Sequence, residues 1–187
     1  MSGDLTVFLK QLLQNPRHVG AFVPSGKPLA RQMTRDLNEN SGQVVELGAG
    51  TGRISRAILE AGVPAENLTL LEMNPVFCAA LKREFPKANV VNRMAQDLPE
   101  LGLTNVNVVI SGLPLLNMSN STQNAIVSSV FNTLNENGVL VQFTYGLRPP
   151  LAEKVISDNN LTWQKREKVW ANIPPADVYV FSRKTTQ

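Results

Sequence analysis

Three glycines, Gly48, Gly50 and Gly52, alternate through the segment V-V-E-L-G-A-G-T-G at residues 44–52. Glycine at such a turn lets the backbone fold tightly and approach a ligand with no Cβ in the way. The first turn of a helix that follows presents unpaired N–H groups to an anion. A dinucleotide-binding loop would carry glycine at 53, where this chain has Arg53. Glu46 closes the strand before the loop, and Glu72 closes the next, L-T-L-L-E, 20 residues beyond Gly52. A carboxylate at the second position can accept from both hydroxyls of a ribose; the plainer reading is a solvated strand end. Asp97, in M-A-Q-D-L, is either an acceptor for an exocyclic amine or the N-cap of a short helix.

Positioning these residues requires alternating strands and helices. Strands are predicted at 44–47, 68–71, 90–91, 106–110 and 139–145, with helices at about 52–61, 74–85, 122–134 and 151–157. Pro75 stands at a first helical turn, and Asn137-Gly138 reads as the turn that closes 122–134. The chain ends in two strands, about 163–170 and 178–182, joined by a Pro174-Pro175 loop. Ahead of the first strand, Leu5, Phe8, Leu9, Leu12 and Leu13 share one face of an amphipathic helix over 4–14 that Pro16 ends, and a second helix is expected over about 28–38. Such βα alternation makes a parallel sheet with helices on both faces, here with a hairpin at one edge.

The spacing E-x-G-x-G-x-G resembles motif I of enzymes that use S-adenosylmethionine, a ligand with a carboxylate and an ammonium rather than a pyrophosphate. Further segments resemble the bacterial phospholipid N-methyltransferases, which methylate phosphatidylethanolamine toward phosphatidylcholine. They are R-H-V-G-A-F-V-P-S-G at 17–26, S-G-L-P-L at 111–115, V-Q-F-T-Y-G at 141–146 and V-W-A-N-I-P-P-A-D-V-Y-V at 169–180. The similarity spans about 5–183. It implies one α/β domain over 1–187 with the class I methyltransferase fold: a Rossmann-like seven-stranded sheet over 41–187, its last strand antiparallel. The helices of 1–40 would cover the cofactor site. It further implies S-adenosylmethionine as cofactor and S-adenosylhomocysteine as product, held by Ser25, Glu46, Gly48, Ala49, Gly50, Gly52, Glu72, Met73, Met94, Ala95, Asp97 and Ser111. Catalysis would fall to Ser111, Gly112, Leu113, Pro114 and Tyr145, with no metal.

Two departures from pattern carry information. Where the family commonly has Gly-Asp, this chain has Arg93-Met94, leaving Asp97 and the backbone at Met94 and Ala95 to meet an adenine. Nitrogen-modifying methyltransferases typically carry N-P-P-Y or N-L-P-Y where this chain has Ser111-Gly112-Leu113-Pro114. Without the Asn and the aromatic, a small aliphatic amine fits better than a stacked base. The alternatives are ribosomal RNA adenine methylation, another amino-lipid such as an ornithine lipid, and cofactor binding without catalysis.

Composition bounds the rest. One cysteine, Cys78, excludes an internal disulfide, and one histidine, His18, excludes a two-histidine metal site. His18 is a loop histidine near the cofactor or a general base. There is no run of about 18 apolar residues to cross a membrane and no secretory signal pattern. The chain has 18 Lys and Arg against 15 Asp and Glu, and Lys10, Arg17, Lys27, Arg31 and Arg35 crowd the first 35 residues with Asp4 as their only acid. A basic leader on a near-neutral body points to an anionic surface or to a solvated helix face. Arg148, Lys165, Arg166 and Lys168 are candidates for lipid phosphate, with solvated charge as the alternative. The expected protein is a cytoplasmic monomer, peripherally bound to the inner membrane. Its partners would be an amino-phospholipid and an anionic surface met by residues 1–14, with no nucleic acid.

Overall fold

Val44, Val45 and Leu47 are each at most 1% exposed, because strand β1 (Gln43–Leu47) runs through the middle of a sheet covered on both faces. The computed structural model describes residues 26–172 and 174–185, so the expected helix over 4–14, His18 and Ser25 lie outside the described residues. The other strands are β2 (Leu68–Leu71), β3 (Asn89–Val91), β4 (Val106–Ser111), β5 (Leu134–Thr144), β6 (Leu161–Lys165) and β7 (Asp177–Arg183). Their order is β3-β2-β1-β4-β5-β7-β6. The pairs from β3 to β5 are parallel, and β7 is antiparallel to both β5 and β6. This is the class I methyltransferase sheet anticipated above.

Helices cover both faces. Helices α1 (Lys27–Met33), α2 (Arg53–Glu60) and α3 (Pro75–Glu84) supply Leu29, Met33, Ile58 and Leu81 to a core with Val44, Leu70 and Ile110. On the opposite face, α4 (Asn120–Thr133) and α5 (Glu153–Asp158) bury Ile126, Val130 and Val155 against Val45, Leu47 and Phe181. Each such aliphatic side chain contributes ~1.5–3 kcal/mol on burial. Local signals start the helices where expected. The Asn74 side chain accepts from the Val76 and Phe77 N–H groups, and Ser119 accepts from Thr122 at 3.2 Å, which begins α4 two residues early.

Three boundaries differ from the sequence reading. Helix α1 ends at Met33, not 38: the Thr34 hydroxyl donates to the Ala30 carbonyl, and Asn38 and Ser41 bond backbone N–H groups of a turn. Asn137-Gly138 does not close α4. The helix passes directly into β5, and residues 135–138 bulge between the pairs Leu134–Val106 and Val139–Val108. The sixth strand is earlier and shorter, ending at Lys165 with a single bridge, Val169 to Ala176, continuing the hairpin, and the last strand is one residue longer at each end.

Candidate functional site

Strand β1 pairs with β2 on one side and β4 on the other, so the chain's crossovers diverge at the C-terminal ends of β1 and β4. In open α/β sheets a crevice forms at that reversal. Residues 48–52 lie in it. The Gly48 and Ala49 N–H groups donate to the Leu71 carbonyl at 2.9 and 3.2 Å, and Gly112 N–H donates to Leu47 at 2.8 Å. The ends of β2 and β4 therefore hold the glycine loop from both sides.

The three glycines are not equivalent, although all have positive φ. A Cβ on Gly48 would lie 2.7 Å from Leu113 Cδ2, and one on Gly52 would lie 2.8 Å from Phe85 Cε2. Those two serve packing. A Cβ on Gly50 would meet nothing closer than the Gly48 carbonyl at 3.9 Å, so open space faces this residue.

Two carboxylates back the loop. Glu72 is 7% exposed, and its two oxygens accept from Gly50 N–H at 2.8 Å and Asn74 N–H at 2.7 Å. It is therefore neither a solvated strand end nor free: it clasps the glycine loop to the start of α3, with a further lone pair on each oxygen for hydroxyl donors. Met73 lies between these two anchored positions. Glu46 is 1% exposed; Ser55 Oγ donates to its Oε2 at 2.5 Å, and its Oε1 has no partner among the described residues. Burial pushes its carboxyl up to about 8; the Ser55 bond opposes that, and the charge of Glu72 adds to it.

Asp97 is not the N-cap, which is Met94, but the third residue of the short helix that follows, bonding back to that cap. Its carboxylate accepts from Met94 N–H at 3.2 Å at the start of the 3₁₀ helix Ala95–Leu101, while Ser129 Oγ donates to the Ala95 carbonyl. Any ligand contact at Asp97 must share that carboxylate.

The segment after β4 packs onto the loop. Ser111 is fully buried and its Oγ accepts from Leu113 N–H at 3.3 Å. The Leu113 carbonyl accepts from Leu115 N–H and from Gln142 Nε2, both at 2.9 Å, and the Pro114 carbonyl from Asn117 N–H at 3.0 Å. The Leu113 and Pro114 carbonyls are therefore already engaged, and Gly112 is the first residue past the paired end of β4.

Gln142 was missed by sequence reasoning. It is fully buried on β5, donates also to the Phe143 carbonyl, and has an unpartnered Oε1 among the described residues. The available signal was a lone amide inside the apolar run V-L-V-Q-F. Tyr145 sits past the end of β5 with its ring edge-on to Phe143 at 5.3 Å. Its buried hydroxyl completes no hydrogen bond among the described residues. Burial raises its pKa and the neighbouring Asn172 amide lowers it. Asn172, also missed, is 2% exposed; it accepts from Gly26 N–H at 2.8 Å and donates to Pro174, tying the start of α1 to the β6–β7 loop.

The structure thus brings together Glu46, Gly48–Gly52, Glu72 and Ser111–Pro114. Met94, Ala95 and Asp97 form a separate loop beyond β3, and Tyr145 lies toward Asn172. Of the basic candidates for phosphate, Arg166 is committed elsewhere, donating to the Gln32 and Met33 carbonyls at the end of α1 and pairing with Asp36. Lys165 and Lys168 both face the buried Asp177 carboxylate, at 2.9 and 3.7 Å.

These groups fit the cofactor that the sequence resemblance implies. The orphaned Glu46 Oε1 is an acceptor suited to an ammonium. Arg53, heading α2 with a buried Nε unpartnered among the described residues, suits a carboxylate, and the space at Gly50 admits a ligand backbone.

Comparison with known proteins agrees in fold and in sequence. A family model described as a methyltransferase domain matches residues 44–138. The chain is 30% identical over 149 residues to an ornithine lipid N-methyltransferase from Singulisphaera acidiphila, covering 75% of this chain and 78% of the relative. Among solved structures it resembles the 1,6-didemethyltoxoflavin-N1-methyltransferase of Burkholderia thailandensis, with a TM-score of 0.67 at 14% identity over 96% of this chain and 87% of that one. A TehB-like methyltransferase from Corynebacterium glutamicum aligns over 98% of each chain, with a TM-score of 0.64 at 15% identity.

Proposed function

Because the chain belongs to the methyltransferase-domain family and is a class I enzyme dependent on S-adenosylmethionine, we propose that it methylates the amine of an amino-lipid head group at a membrane surface. The observation that carries this reading is the 30% identity, over most of both chains, to an enzyme named for ornithine lipid N-methylation. The resemblance to phosphatidylethanolamine methyltransferases supports the same substrate class. Both head groups present a primary aliphatic amine, which suits a Ser111–Pro114 segment lacking the Asn and aromatic that hold a planar base.

When bound, the cofactor supplies an electrophilic sulfonium methyl and leaves as S-adenosylhomocysteine. The chain's own residues bind and position. Gly50 leaves room for the ligand, Glu72 holds the loop that receives it, and Glu46 meets its ammonium. The acceptor must arrive as a neutral amine, since an ammonium has no lone pair. Transfer out of water favours that form, and the Gly112 carbonyl can orient it. Alignment of two reactants is worth ~7–11 kcal/mol in the barrier, so positioning carries much of the rate.

Purified protein with labelled S-adenosylmethionine, offered detergent micelles of phosphatidylethanolamine, micelles of ornithine lipid, or ribosomal RNA, tests the proposal. Label in either lipid supports it and identifies the acceptor. Label in RNA alone overturns it.

A further inference from the structure

Among the described residues, five large apolar side chains stand exposed: Val76, Leu116, Leu147, Trp163 and Trp170. Four of them lie at one end of the sheet. Val76 is in the first turn of α3 after β2, Leu116 follows β4, Leu147 follows β5, and Trp170 lies between β6 and β7. Strands β2, β4, β5 and β6 all reach that end with their C-termini. It is the end that carries the glycine loop and the Ser111–Pro114 segment. Leu147 is 89% and Trp170 74% exposed, and Leu116 lies directly against Gly146, beside Leu147.

Basic side chains stand beside these apolar tips. Arg93 and Arg148 are exposed, and Lys168 is partly so, with its ammonium 5.2 Å from the centre of the Trp170 ring. Glu100, Glu153 and Glu167 are the exposed acids that follow β3, β5 and β6, whereas Glu72 and Asp177 are buried. An indole beside an ammonium is suited to the head-group level of a bilayer, with the ring toward the acyl chains and the charge toward phosphate. Separate apolar tips around a mouth make no groove for a peptide, but each can enter a fluid interface independently.

We propose that this end of the sheet is a membrane-facing surface, with Leu116, Leu147 and Trp170 entering the interface of an anionic bilayer while Arg148 and Lys168 meet lipid phosphate. The inference rests on the amino-lipid reading and adds to it how the substrate arrives. A head group enters the site end-on from the leaflet, and its acyl chains stay in the bilayer. None of its residues belongs to the leader of residues 1–14.

The protein has two tryptophans, so Trp163→Phe leaves Trp170 as the sole indole. That variant is mixed with vesicles of phosphatidylcholine, with and without phosphatidylglycerol, and with brominated acyl chains. Trp170 emission should shift to the blue and be quenched on anionic vesicles, less so at high salt. Arg148→Glu/Lys168→Glu should lose about tenfold in vesicle affinity. Leu147→Glu/Trp170→Glu should also bind more weakly, while still methylating lipid dispersed in detergent micelles. If the protein binds vesicles while Trp170 emission stays unchanged, contact is made elsewhere and the proposal is overturned. A Trp170 already blue-shifted and quencher-protected before vesicles are added overturns it in favour of cover by the chain's own residues 1–25. Failure to methylate any lipid in micelles would instead remove the amino-lipid reading, whatever Trp170 reports.

Discussion

Glu46 and Glu72 end adjacent strands, yet their surroundings give them different work. Glu72 accepts two backbone N–H bonds. Glu46 has one hydroxyl donor and an orphaned oxygen in a fully buried setting, which raises its pKa from 4.5 to about 8. Between those values the unfolded chain has released the proton and the folded chain retains it. Stability therefore falls as pH rises through that window and levels off above it. Glu46→Gln should flatten that decline, raising Tm at pH 8 relative to pH 5, and should weaken cofactor binding by calorimetry. A Tm profile identical to the parent would mean that Glu46 is ionised in the fold. Glu72→Ala should weaken cofactor binding by about 1.5–3 kcal/mol, the range for bonds to a charged group. Because Gly50 and Asn74 lose their acceptor, the cofactor-free Tm should fall as well. A lower Tm with unchanged affinity would make Glu72 a loop clasp only.

At the scale of elements, the loop after β1 is built by its neighbours. Gly48 and Gly52 are shaped by Leu113 and Phe85, while Gly50 faces open space at φ +53°. Gly50→Ala should cost about 1–2 kcal/mol of stability from the left-handed backbone. Its effect on cofactor affinity should be larger than on stability, since the added methyl projects into the ligand's space. Comparable losses in both would place the ligand elsewhere. The other decisive contact is long-range: Arg183 on β7 donates to the Phe131, Leu134 and Asn135 carbonyls where α4 becomes β5. Its guanidinium also sits 5.4 Å from the Phe131 ring centre. Arg183→Ala leaves those acceptors without their donor and should destabilise by roughly 1–3 kcal/mol in denaturant melts, with the site's affinity intact.

For the whole molecule, the topology places the described candidate site residues at one end of one sheet, and under the proposal above ligand, acceptor and membrane share that end. No described helix is long and apolar enough to cross a membrane. If the leader forms the helix that its sequence predicts, Leu5, Phe8, Leu9, Leu12 and Leu13 share an apolar face with basic residues nearby, a pattern that binds anionic interfaces. Phe8→Glu/Leu12→Glu should reduce flotation with vesicles containing anionic lipid. Equal flotation of parent and variant would assign membrane binding to the body of the protein alone.

The strand positions, the βα alternation and the glycine loop with its two carboxylates were legible in the sequence because they depend on neighbours in the chain. Buried parallel strands need near-continuous apolar runs, and a helix start needs Asn74-Pro75 or Ser119 within a turn of its free N–H groups. What pairs across the sheet was not legible. Nothing local says that Asn137-Gly138 bulges rather than turns, because Arg183 arrives from 46 residues beyond Asn137. Nor does local pattern show Gln142 reaching the Leu113 carbonyl, or Arg166 serving α1 instead of a phosphate. Asp97 had two local readings, and its 3.2 Å bond to Met94 puts it in the first turn of the short helix and not at the N-cap. The raised pKa of Glu46 is likewise a tertiary property: the sequence supplies the carboxylate, and the packing of α2 and β2 around it removes the water that would keep it charged.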